Sequence, residues 1–146
     1  MIIEVKNEQQ TRDLGEKLGK LLRGGETIEL SGDVGAGKTT FVKGVARGLS
    51  IDDDVQSPSF TISRVYDARD NLQLAHYDFY RLNDAGIMAD ELSETTADPE
   101  TVTIIEWADI VEGVLPVNRL SIAFAAPTET SRQLTITGNE KLLIQL

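Results

Sequence analysis

An α/β fold is what the 146 residues predict: one domain with a mainly parallel central sheet, helices on its faces, and antiparallel strands or hairpins added. Three observations carry this expectation. The apolar segment "TIELSG" runs through a glycine-rich loop straight into the helix-spaced "TFVKGVARGL". The short apolar run "TVTIIEW" suits a strand covered on both faces of a parallel sheet. The remaining strand-like runs come in pairs around polar turns, as hairpins do. A chain of this length buries about two thirds of the surface that its unfolded form exposes, so residues 1–146 are expected to form one domain.

Taken in order, "IIEV" reads as a first strand. "EQQTRDLGEKLGKLLR" follows as a helix with Leu14, Leu18, Leu21 and Leu22 on one face, ended by Gly24-Gly25. After the strand, loop and helix of residues 27–49, "SPSFTISRVYD" and "LQLAHYDFYRL" read as two strands joined by "ARDN". The polar "NDAGIMADELSETTADPE" reads as one or two helices with loops, and "RLSIAFAAPTETSRQLTITG" as two alternating strands around a turn. Repeats, linkers and low-complexity tracts are absent from the sequence.

Composition removes several functions. The chain has no cysteine and one histidine, which excludes a disulfide framework and argues against a zinc site. Fourteen basic against 24 acidic residues give a net charge of −10, which repels a phosphate backbone, so strong direct nucleic-acid binding is not expected. The start "MIIEVKNEQQ" lacks the basic and apolar regions of a signal peptide, and no stretch approaches a membrane span, so the expectation is a cytoplasmic protein without membrane attachment.

The most specific segment is Gly32-Asp33-Val34-Gly35-Ala36-Gly37-Lys38-Thr39, which fits the phosphate-loop pattern G-x-x-x-x-G-K-[ST] between a predicted strand and a predicted helix. Glycines let backbone N–H groups of such a loop turn toward phosphate oxygens at a helix N-terminus, whose dipole favours an anion. Lys38 adds a point charge for the β- and γ-phosphates, and the Thr39 hydroxyl suits Mg²⁺. A P-loop NTPase also needs a carboxylate on a neighbouring buried strand. Glu106, at the end of "TVTIIE", is placed either to hold Mg²⁺ through water or to orient the attacking water. Asp78, set among aromatics in "HYDFYRL", is the candidate second carboxylate; the alternative for that stretch is an edge strand with a solvated polar face. Thr61 in "SPSFTI" is placed like a switch threonine, its hydroxyl or carbonyl meeting the γ-phosphate or Mg²⁺. His76 shares a strand face with Asp78, but a lone histidine is more often packed or hydrogen-bonded than an acid or a ligand, so the site is drawn without it. Trp107 reads as core or rim packing in preference to a base-stacking platform.

In the order "GDVGAGKTTF", "SPSFTI", "HYDFYRL" and "IIEW", with the early "EQQTRDLGEKL", the chain closely resembles the TsaE family, the P-loop ATPases of bacterial tRNA threonylcarbamoyladenosine synthesis. The resemblance runs from about residue 8 to the late hairpin. It implies a compact α/β fold that binds MgATP and hydrolyses it to ADP slowly when alone. It also implies the partners TsaD and TsaB, which transfer threonylcarbamoyl to tRNA, so that tRNA is met through the complex. Carried over by motif, Val34, Gly35, Ala36, Gly37, Lys38, Thr39 and Thr40 bind nucleotide, and Thr39 and Glu106 serve Mg²⁺. Lys38, Asp78, Glu106 and Thr61 form the catalytic set. Thr11 in "QQTRDLG" and Arg132 in "TSRQLTITG" match positions used around the nucleotide. The chain departs from the family's pattern between Asp84 and Thr101, and at Ala108, where proline is commoner.

Three other readings compete. A small-molecule kinase needs an acceptor pocket and usually a lid rich in arginines, whereas the longest candidate insertion here is acidic. A GTP switch needs an Asn-Lys-x-Asp loop, which the sequence lacks. A non-catalytic adaptor whose nucleotide site controls assembly would use the same residues as an ATPase.

Overall fold

The computed structural model describes residues 1–33, 35–52, 55, 62–80, 82, 86 and 88–146. Val34, Thr61, Arg81 and the "SPSFT" part of the predicted third strand lie outside the described residues, as do Asp84, Ala85 and Ile87 of the polar segment.

Seven strands form one sheet: β1 (Ile2–Val5), β2 (Thr27–Ser31), β3 (Ser63–Asp67), β4 (Gln73–Asp78), β5 (Thr101–Glu106), β6 (Leu120–Ala125) and β7 (Arg132–Thr137), in the order β1-β7-β6-β2-β5-β4-β3. The four inner strands β6, β2, β5 and β4 are mutually parallel, and every pairing outside them is antiparallel. This is the mixed α/β architecture that the sequence implies. Both expected hairpins form, β3 with β4 and β6 with β7, while the first strand adds itself to β7 at the far edge. All six residues of β5 are buried, which explains why its sequence runs apolar without alternating.

The alternative for "HYDFYRL" is overturned: β4 is not an edge strand but lies between β5 and β3, and His76 on it is wholly buried. The strand stops at Asp78, and Tyr77 and Phe79 pack together into the core as their shared face requires.

One face of the sheet is covered by α1 (Glu8–Leu21) and α2 (Lys38–Gly48). Leu18, Leu22, Phe41, Val42 and Val45 pack there against Ile28, Leu30, Leu74 and Ile104. Asn7 caps α1, its side chain accepting from the Gln10 amide. The other face is covered by α3 (Met88–Ala97) and a 3₁₀ segment, Ala108–Val114, through Leu92 and Val111 over Ala75, Tyr77 and Ile105. That 3₁₀ segment and a last short helix, α4 (Glu140–Leu143), have no counterpart in the sequence reading. Among the described residues no helix is long and apolar enough to cross a membrane.

Candidate functional site

The loop after β2, the end of β4 and the end of β5 all lie at the carboxyl edge of the parallel strands, the edge at which open α/β sheets place their ligands. The start of α1, following β1, and the start of antiparallel β7 reach the same edge. A cleft of about 890 Å³ opens there, large enough for a nucleotide.

Its floor is the phosphate loop. Gly32 has φ 130°, and a side chain on it would come within 2.6 Å of the Phe124 carbonyl oxygen. Gly37 turns into α2 with φ 100°, a left-handed conformation that favours glycine. Lys38 is the first residue of α2; it is buried, and its ammonium donates to the Gly32 carbonyl at 2.6 Å. The same ammonium lies 4.4 Å from the ring centre of Trp107, close enough for a cation–π attraction. Trp107 has φ 58°, strained for a large side chain, and pairs with the Tyr80 ring at 4.8 Å. The lysine is thus fixed between its own loop and an aromatic wall. Gly35, Gly37, Thr39 and Thr40 also line the cleft. Ala36 does not line it: it is buried, and its amide donates to the Asp33 carbonyl at 3.1 Å.

Two carboxylates line the same cleft. Asp78 and Glu106 are register partners on adjacent parallel strands, and so project from the same face. Glu106 is nearly inaccessible, and its Oε2 lies 2.7 Å from Nε2 of His76. The ordinary exposed strand-end glutamate is excluded at this position. Asp78 is half-buried and accepts from the Tyr80 amide at 3.0 Å, which turns the chain out of the strand.

Thr11 and Arg132 close the loop's other side. Thr11 is buried in the first turns of α1, and its methyl faces Gly37. Arg132 donates to the carbonyls of Thr128, Glu129 and Ser131 and to that of Gly35 at 3.3 Å, tying the β6–β7 turn to the phosphate loop. So Thr11, Gly35, Gly37, Lys38, Thr39, Thr40, Asp78, Glu106 and Arg132 come together on one cleft, as a site requires. Asn7 and Tyr80 join them; Asn7 carries no motif, and Tyr80, though inside "HYDFYRL", is read in the sequence only as one of its aromatics.

Among the described residues no cluster of three histidine or acidic side chains could hold a metal by itself. The donors that do converge are the Thr39 hydroxyl and two carboxylates, all hard oxygens. Such a set fits Mg²⁺, which keeps several waters and is bound through one or two carboxylates together with phosphate oxygens.

Comparison with known proteins gives the chain's family. The family model described as "Threonylcarbamoyl adenosine biosynthesis protein TsaE" matches residues 5–134. The tRNA threonylcarbamoyladenosine biosynthesis protein TsaE of Bacillus subtilis is 36% identical over 136 residues, covering 90% of this chain and 82% of that protein. Its counterpart from Streptomyces coelicolor is 36% identical over 132 residues, covering 87% and 89%. The crystal structure of Bacillus subtilis YdiB superposes with a TM-score of 0.81 at 33% identity, covering 99% of this chain and 92% of that one. With a matching family model over most of its length, relatives above 30% identity and the same fold, the chain belongs to the TsaE family.

Proposed function

We propose that this protein is a Mg²⁺-dependent ATPase, acting in the cytoplasm, that supports TsaD and TsaB in forming N6-threonylcarbamoyladenosine in tRNA without itself transferring the threonylcarbamoyl group. One observation carries the reading: the glycine-rich loop with Lys38 and two register-paired carboxylates line a single cleft. The relatives' names supply the pathway.

In this reading the chain's own residues divide the work. The loop amides and the Lys38 ammonium receive the phosphates, and Lys38 changes its Gly32 and Trp107 partners for phosphate oxygens. Thr39 and Glu106 would hold Mg²⁺, which would neutralise phosphate charge when bound. Asp78 orients the water or holds the metal's hydration shell from the neighbouring strand. Thr11 and Arg132 border the nucleotide from α1 and β7. The net charge of −10 keeps tRNA at a distance, so tRNA is met through the partners.

The test is MgATP hydrolysis by the purified protein, alone and with TsaD and TsaB, with Lys38→Ala as the blank. Stimulation by the pair that vanishes in the blank is the expected result. Asp78→Asn should keep nucleotide binding and lose that stimulated turnover. Hydrolysis unchanged by the pair, although ATP binds, would replace the ATPase with a nucleotide-controlled adaptor.

A further inference from the structure

His76 sits on β4 two residues before Asp78, wholly inaccessible to solvent, with Nε2 2.7 Å from Oε2 of Glu106. A carboxylate offers only acceptors, so the proton in this contact is the one on Nε2, which donates to Oε2. Among the described residues Nδ1 has no hydrogen-bond partner. An imidazole with half its polar capacity unmet is a poor way to fill an apolar core, where Leu30, Leu74 and Ile104 surround the same face. Stability alone does not account for a histidine here. Its one hydrogen bond goes to the carboxylate at the cleft.

We propose that His76 is a positioning residue: its Nε2–H pins one oxygen of Glu106, so that the other is presented to the cleft in a fixed orientation for Mg²⁺ or its water shell. This rests on the function proposed above. A glutamate has three side-chain torsions, and Glu106 has the buried apolar sheet behind it and the cleft before it. A single donor from the adjacent strand decides which oxygen faces which side. Partners that orient a metal's ligands in this way typically change affinity or activity by roughly 10- to 100-fold when removed.

The geometry names its own controls. A glutamine amide nitrogen reaches about as far along the side chain as Nε2, whereas an asparagine nitrogen reaches only as far as Nδ1. The experiment is calorimetric binding of ADP to the full chain across a Mg²⁺ titration and in EDTA, with wild type, His76→Leu, His76→Asn and His76→Gln, alongside kcat and KM for MgATP. The expected result is that Leu and Asn weaken the Mg²⁺-dependent part of ADP binding by roughly tenfold or more, while Gln retains it. ADP binding in EDTA stays within about twofold in all three, and kcat falls in Leu and Asn with little change in KM, since the phosphate loop is untouched. If circular dichroism shows His76→Leu unfolded, the Asn and Gln pair decides alone. Wild-type Mg²⁺ dependence in His76→Asn, or a His76→Gln as impaired as His76→Asn, overturns the positioning role and leaves the proposed function standing. A wild type that binds no ADP overturns both.

Discussion

On one face of the sheet two helices meet backbone to backbone; on the other, a single helix and a 3₁₀ segment lie over the sheet. Gly15 and Gly19 of α1 face Gly44 and Gly48 of α2 so closely that a side-chain carbon at any of them would fall 2.1–2.4 Å from a carbonyl oxygen of the opposite helix. Beneath the helix pair the Tyr66 hydroxyl and His76 Nδ1 lack partners among the described residues, and the second face holds the buried hydroxyls of Thr27 and Thr103, likewise unmet. It also holds Tyr77, whose hydroxyl meets that of Thr95 at 3.0 Å. The difference follows the chemistry. The tight face carries α2, which begins with Lys38, and α1, which brings Thr11 against Gly37. A shift of one helix against the other would move a wall of the cleft against its floor. The second face carries neither of those helices.

The largest test of that contrast is Gly44→Ala. Its added carbon would sit 2.1 Å from the Arg12 carbonyl oxygen, and backbone cannot swing aside as a side chain can. Urea unfolding should show a loss of about 3 kcal/mol, with the nucleotide binding proposed above weakened as well. A loss below about 1 kcal/mol would mean that the helix pair is plastic and that the two faces do not differ in tolerance. Next comes Arg69, in the 3₁₀ turn Arg69–Asn71 between β3 and β4. Its guanidinium donates to the carbonyls of Gly19, Lys20 and Leu22 at the end of α1 and of Gly48 at the end of α2. One cation thus meets the negative ends of both helices, and Arg69→Ala should cost about 2 kcal/mol in the same assay. Arg69→Lys should recover only part, because an ammonium lacks the planar fork.

These features also mark where the sequence could and could not be read. The phosphate loop was legible because it is contiguous: one strand, one glycine turn and one helix state its geometry locally. Glu106 was legible as the polar end of an apolar strand, and Asp78 as a carboxylate among aromatics. Their alignment at one register was not, since it needs β4 beside β5, and those strands are joined through the 22 residues from Phe79 to Glu100. The same adjacency hides the His76 to Glu106 contact; the reading of the histidine as packed and hydrogen-bonded holds, but its partner had no local signal. The four-residue spacing of Gly15 and Gly19, and of Gly44 and Gly48, is visible in the sequence. Which glycines meet is settled only by the helix crossing.

On the second face, Tyr77→Phe should cost about 1 kcal/mol, the value of one partly buried hydrogen bond. It also gives a pH signature. Burial pushes the Tyr77 hydroxyl above its ordinary value, reinforced by the charge of Glu91 and partly opposed by the Thr95 hydrogen bond. A hydroxyl that holds its proton more tightly folded than unfolded stabilises the fold fully below the unfolded value of about 10. That contribution is lost as pH rises from there through the raised folded value. Stability measured upward from about pH 9 should therefore fall less steeply in Tyr77→Phe than in wild type. Equal slopes would mean that this face lets water reach the hydroxyl.

Thr103→Val is the smallest effect and has the opposite sign. The two side chains have nearly the same shape, and the hydroxyl that valine removes is fully buried without a partner among the described residues. Removing an unmet polar atom while keeping the volume should raise stability by about 0.5–1 kcal/mol. Both residues suit a strand, so the change in unfolding midpoint reports the hydroxyl and little else. A destabilised Thr103→Val would show that the hydroxyl is satisfied, by water or by a neighbour. The second face would then be the better satisfied of the two, since the Tyr66 hydroxyl and His76 Nδ1 stay unmet beneath α1 and α2 among the described residues.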